Sequence, residues 1–519
     1  LGAAALNTGT SYSSTGGKFT FGEGLSIDGG ALNLQDSTLA VGTSFTKSGG
    51  TLTLSGTDLE LLSNLSLSSD AAVAVKELRL ENKTLTLAST SSFTVTNQLV
   101  LDNLNEKIIW NETSGLTLSG GVMLVTNGVL AWKNPANLSI GNITLNGGVF
   151  EIGENEPQTF TLASNLTLTA DSEIKFNSGS TLNYSGEELL LGKSLSLTGS
   201  GQLQNTNSLN LGDGNGKLKL SGINVAKVIS SAESLGLEIE SDSTVSSLEV
   251  RNLLPVTITS GRSLSGSIVV KAGGTLQFDK TGTLAANVTM SGGTLDVNES
   301  LIISGTLTQS GNISIDVDSA KTLSFGAGQI KTESYQLTLE GAGTVAFPDN
   351  SSGIVLNNAD ALLLINGTGT LQSAKVSTVS NAGKGIAVNE SASISNLKIA
   401  ANSELNIAET KTLSGSTDVA ENTTLKLSGG GTYGAALNLA GTLEAGTDLT
   451  VSGTINVTDN AAVIIPDAGT TLSYSGDNLT VQDYTLTIGG AGTFSNALTS
   501  PIVLAVEDSV LDLSGNGIV

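Results

Sequence analysis

The 519-residue chain has no cysteine and no histidine, only six prolines, and 4% aromatic residues. Charged residues make up 13%, about half of the ~25% usual in a globular chain. Each shortage closes off chemistry. Without cysteine there is no disulfide framework, no thiolate nucleophile and no thiolate-bound zinc or iron–sulfur cluster. Without histidine there is no imidazole base, no histidine-based triad and no histidine-ligated metal. Basic residues number 23 against 47 acidic ones, a net charge of −24. Such a surface repels nucleic acid, and no basic patch with interleaved aromatics is present. Apolar runs are short, as at Ala361 to Ile365, far below the ~18 residues of a membrane span. The chain opens on Leu1 with no charged stretch and apolar core behind it, which leads us to expect a mature product or a piece of a longer protein.

What is present is leucine, valine and isoleucine alternating with threonine, serine and asparagine. Thr51-Leu52-Thr53-Leu54, Leu85-Thr86-Leu87, Leu166-Thr167-Leu168, Leu195-Ser196-Leu197 and Leu337-Thr338-Leu339 are examples. A period of two marks a strand with one buried face. The runs last three to six residues and are separated by Gly, Asn, Asp and Ser, the residues that form turns. The best helical candidate, Val225 to Leu237, is weak.

Internal repeats choose among all-β architectures. TLTLSGTDLELLSNLSL begins at Thr51, TLNYSGEELLLGKSLSLTGSG at Thr181, TLSFGAGQIKTESYQLTLEGAG at Thr322 and TLSYSGDNLTVQDYTLTIGGAG at Thr471. The copies run over about 24–141, 142–286, 287–435 and a shortened 436–519. Inside each, three strands with their turns take roughly 20–25 residues, the size of one solenoid coil. Trp110 and Trp132 are separated by about that much chain, as if one coil lay on the next. The expectation is an all-β fold in which residues 1–519 form one continuous right-handed parallel β-helix with few or no helices. Aliphatic residues would point inward and Thr, Ser and Asn outward. About 22 coils at ~4.8 Å would stack to roughly 100 Å. Scarce proline fits, because proline removes a ladder donor. Four tandem β-sandwiches are the alternative, but no linker is evident.

LKLSGGGTYGAALNLAGTLEAG, from Leu425, resembles the autotransporter-associated β-strand repeat of bacterial passenger domains, as do GGTLTL-type motifs near Gly49 and Gly273. Good matches cover about a tenth of the chain. At the level of a class, the sequence resembles autotransporter-like and giant-adhesin β-helical surface proteins. The resemblance implies an extracellular, secreted, cell-surface location. The function expected is a non-catalytic structural stalk or fibre whose partners are other copies of itself or cell-surface and matrix components. One alternative is a self-assembling subunit of an extracellular filament, sheath or surface layer. A minor one is a β-helical polysaccharide lyase or hydrolase.

No catalytic or cofactor-binding residue is assigned. Trp132 aligns with Phe278 and Leu427 in other copies, and Tyr184 with Phe325 and Tyr474; slots that take such mixtures are interior slots. An acid recurs at one register, Glu151, Asp296 and Glu444, where the first copy has Asn33. With apolar neighbours on both sides it points outward. It belongs either to an acidic stripe that binds cations such as Ca²⁺, or an opposed partner, or to ordinary solvated strand charge that discourages sticking. Asp316 and Asp318 lie two apart, on one strand face, and paired carboxylates serve acid–base work or Ca²⁺ binding. No third acid or basic partner is evident beside them. The loop Leu211–Lys217 offers Asp213 and Asn215 but lacks the later ligands of a Ca²⁺ loop. Roughly fifteen N-x-S/T sequons, Asn64, Asn142, Asn165, Asn287 and Asn456 among them, are what period-two polar faces produce. Loops that break coil register, near Gly153–Gln158 and Pro348–Gly353, are the places expected to carry binding.

Overall fold

The computed structural model describes residues 2–67, 72–88, 90–103, 106–109, 115–125, 127–132, 138–153, 157–212, 215–326, 329–348, 353–378, 382–477, 479–497 and 501–514. Among them every regular element is a β-strand, and no helix is present. The chain divides into two compact units, Leu1–Leu248 and Glu249–Val519. Each is a β-solenoid of stacked coils.

The first unit begins with Ala3–Asn7, Ser11–Thr15 and Lys18–Phe21. The chain then returns over itself. Gly24–Asp28 pairs in parallel with the first of these strands, Ala31–Gln35 with the second and Thr38–Val41 with the third. Phe45 is the register partner of Leu25, so one coil closes between them and contains three strands. The side-chain period of two then decides what is buried. Leu25, Ile27, Leu32, Leu34, Leu39 and Val41 are all buried, while Asp28 and Gln35 are exposed.

The second unit follows the same rule. Leu254, Leu276, Leu295, Ile315 and Leu339 are successive register partners and form one buried inner column. Each such side chain is worth about 1.5–3 kcal/mol when fully buried. Coil length is not constant. The coil from Leu276 to Leu295 is short, and the one from Leu339 to Ile365 is distinctly longer.

The interior slots hold aromatic and aliphatic side chains interchangeably. Phe278, Leu427, Tyr184, Phe325 and Tyr474 are all buried. Trp110 and the side chain of Trp132 lie outside the described residues. Tyr184 and Tyr474 use their hydroxyls alike. The Tyr184 hydroxyl donates to Glu187 O at 2.7 Å and accepts from Leu166 N at 3.3 Å. That of Tyr474 donates to Asp477 O and accepts from Ile455 N.

The weak helical candidate Val225 to Leu237 contains strands and no helix, as the expected scarcity of helices requires. Asn224–Ser230 and Gly236–Ser241 are strands. Val225 pairs with Leu203 and Val228 with Leu209, so one long strand rounds a corner over two shorter ones. The corner, not a helical turn, sets the spacing of Val225 and Val228.

Asparagine fastens many turns. Asn64 Oδ1 accepts from Thr84 N at 3.0 Å, Asn142 Oδ1 from Asn165 N at 3.1 Å and Asn287 Oδ1 from Thr306 N at 3.1 Å. Three sequon asparagines thus hold the backbone of the following coil.

Candidate functional site

The recurring acids Glu151, Asp296 and Glu444 sit on outer strand faces, and their neighbours differ from copy to copy. Glu151, in Val149–Ile152, faces Lys175 on the next coil. Lys175 Nζ lies 3.0 Å from Glu151 Oε1, and Asn177 Nδ2 donates to the same oxygen at 3.1 Å. Glu444, in Thr442–Ala445, lies in register between Lys426 and Ile464. Asn33 lies between Ser13 and Thr53. These positions recur along the sequence, but they do not form one acidic stripe.

Asp296 is the exception. It projects outward from Thr294–Val297 because Leu295 and Val297 are buried. Its register partners are Gln277 on one side and Asp316 on the other, and the partner of Asp316 on the next coil is Glu340. Three carboxylates therefore follow one another on adjacent strands, whose backbones run ~4.8 Å apart. Gln277 Nε2 donates to Asp296 Oδ2 at 3.0 Å. Asp318 stands just past the end of Ile313–Val317, in a turn closed by Lys321 N donating to Asp318 O. It is thus a turn residue rather than a member of the strand face.

Asp296 and Asp316 hold their protons more tightly than free carboxylates do. Partial burial raises the Asp296 pKa, and the negative charges of Asp316, Asp318 and Asp279 raise it further, against a smaller lowering by the Gln277 hydrogen bond. Burial also raises that of Asp316, with Glu340 and Asp318 adding to it. Among the described residues no three acidic side chains are grouped so as to hold a metal ion. A file of parallel carboxylates offers a cation no convergent set of ligands. Of the other Ca²⁺ candidates, Asp213 lies outside the described residues. So do 154–156 and 349–352, the centres of the two loops expected to break register.

Three acids escaped the sequence reading. Glu340 could have been found only by knowing which residue lies one coil beyond Asp316. Asp58 is raised by burial and by Glu77, and its Oδ1 is buried without a hydrogen bond. Glu106 is 3% exposed. Its Oε2 accepts from Asp102 N at 2.8 Å and Asn103 N at 3.3 Å, and its Oε1 from Asn82 N at 3.2 Å. The backbone at Glu81 and Asn82 is left-handed, with φ of 48° and 68°, so this carboxylate pins a strained turn to the neighbouring coil.

Comparison with protein-family models, curated proteins and solved structures finds no match.

Proposed function

We propose that the chain is a structural, non-catalytic stalk or fibre segment of a secreted, adhesin-like cell-surface protein. The observation that carries this reading is what the outward polar side chains do: many tie one coil to the next. Asn298 Nδ2 donates to Asp279 Oδ1 at 2.8 Å, and Asn389 Nδ2 to Asn366 Oδ1 at 2.9 Å. Lys321 pairs with Glu299 at 2.7 Å and Lys411 with Glu390 at 2.6 Å. Such bridges add cohesion along the stack of each unit, as a load-carrying segment requires. Cell-surface or matrix components, or further copies of the chain, are its partners. The test is antibody labelling of intact source cells together with trypsin digestion of the purified chain. Surface labelling and slow cleavage at the 23 basic residues support the reading. Labelling only after lysis overturns it.

A second reading is a self-assembling subunit of a filament, sheath or surface layer, in which unpaired strand edges of one copy pair with those of another. Sedimentation velocity over a concentration series separates the two readings: growth into polymers supports the second, and a constant monomer supports the first.

A further inference from the structure

We propose that a groove on the outer face of the first unit binds a neutral glycan. The groove has a volume of about 380 Å³ and lies across the strands Gln202–Asn205, Asn224–Ser230 and Ser243–Val250. It goes beyond the stalk reading, which requires no ligand.

The groove follows from the register. Leu203, Val225 and Val245 point inward and are buried, so their neighbours face out. One outward column is Gln202, Asn224 and Thr244, and the other is Gln204, Ala226 and Ser246. Ala226 is the smallest of the six. Between the long side chain of Gln204 and Ser246 it leaves a notch that opens into the groove.

The lining selects a ligand by charge. It contains no lysine or arginine, and the chain carries a net charge of −24. An anionic ligand would be repelled by the net charge and would find no cation in the lining, the exposed Lys227 beside Ala226 being the one basic residue of these three strands. A cationic ligand would find no carboxylate in the groove. An apolar ligand would cover amides and hydroxyls without satisfying them, at a cost of about 1–3 kcal/mol for each group. What fits is uncharged and rich in groups that both donate and accept. Primary amides do both, and so do hydroxyls. Gln204 Nε2 donates to Gln202 Oε1 at 3.1 Å, which fixes the two amides side by side with donor and acceptor capacity remaining. The columns present such groups every ~4.8 Å, so a linear saccharide along the stack meets a new set at each coil. With no aromatic platform, affinity is set by hydrogen bonds alone and falls in the millimolar range, about 1 mM.

The experiment is saturation-transfer-difference NMR on the full chain. The probes are cellohexaose and maltohexaose, with hexagalacturonate and a neutral Gly-Ser decapeptide as comparators. At least one neutral hexasaccharide should bind, with little change when salt is raised. Ala226→Leu, which fills the notch, should weaken it about tenfold, or about 1.4 kcal/mol. Asn224→Ala, at an exposed position, should weaken it measurably without changing thermal unfolding, and it stands as the test should Ala226→Leu fail to fold. Four results would each overturn the proposal. One is no saccharide binding at about 10 mM, well above the affinity expected. A second is saccharide binding unaffected by the folded variants. The other two are binding of hexagalacturonate alone and binding of the decapeptide alone.

Discussion

At the scale of single residues, the buried phenols offer the cleanest test of how the core is held. The Tyr184 hydroxyl bridges Glu187 O and Leu166 N, and Tyr474 does the same with Asp477 O and Ile455 N. Removing either hydroxyl leaves a backbone N–H without that partner. Tyr474→Phe should cost about 1–2 kcal/mol, and amide exchange at Ile455 should speed up accordingly. Unchanged exchange would mean that the hydroxyl is incidental. Glu106 is the more severe case, because its carboxylate accepts three backbone N–H groups in a buried site. Glu106→Ala should destabilise the surrounding coils by about 3 kcal/mol, measured as loss of exchange protection at Asn82, Asp102 and Asn103. The acid row makes the opposite prediction. Asp296 and Asp316 have folded pKa values above their unfolded ones. In the window between the ordinary and the raised value the folded state binds more protons than the unfolded state, so stability falls as pH rises through it. Their coils should gain stability on acidification from neutral pH toward about pH 4. Asp316→Asn should raise the midpoint of the local transition at pH 7 by roughly 2 °C and flatten its pH dependence. A loss of stability in the variant would show that the row is not under repulsion.

At the scale of elements, the G-x-G turns at Gly341–Gly343 and Gly490–Gly492 show what glycine does between strands. Gly341 has φ 77°, and a Cβ there would lie 2.1 Å from Val317 O. Gly490 has φ 108°, and a Cβ there would lie 2.1 Å from Ile465 O. Both close the step from one strand to the next directly against the backbone of the preceding coil. Gly341→Ala should cost more than about 2 kcal/mol, from the left-handed backbone and the contact together. The Lys411–Glu390 pair is half exposed, so Lys411→Met should cost no more than about 1 kcal/mol. Urea unfolding of the two variants checks the order, and a reversal would mean that coil contacts are electrostatic rather than steric. The strands themselves were legible in the sequence, because a one-residue slip would expose Leu295 and bury Asp296; alternation leaves no second choice. The acid row was not legible. Comparing copies of the long repeat aligned Asp296 with Glu151 and Glu444, which are equivalent but not adjacent. The spatial neighbours of Asp296 lie one coil away, at Gln277 and Asp316, and the next step, to Glu340, is longer than either. Those steps are set by turn lengths that hydrophobic periodicity does not fix. The same limit lies behind the weak helical candidate at Val225, where a corner sets a spacing that alternation does not.

At the scale of the whole molecule, charge and cooperativity are the properties to measure. The net charge of −24 is spread thinly, and exposed charges are screened beyond about 10 Å at 0.1 M salt. Molecules should repel one another collectively rather than through single sites. Millimolar Ca²⁺, or a pH near 4, should therefore promote association visible in light scattering. Dispersed molecules under both conditions would reduce the acids to solubilising groups.

Within each unit a coil is bonded to the coil before it and the coil after it. The short coil from Leu276 to Leu295 and the long one from Leu339 to Ile365 pack against the same column. Extra residues enter at the turns and leave the register of Leu276, Leu295 and Ile315 untouched. A tandem duplication or loss of coding sequence that spans whole coils would join strands already complementary to each other. The coil is therefore the natural step by which such a gain or loss would change length. Length can change between related chains without any new interface having to evolve, and the drifted copies of the long repeat are the trace such a history would leave.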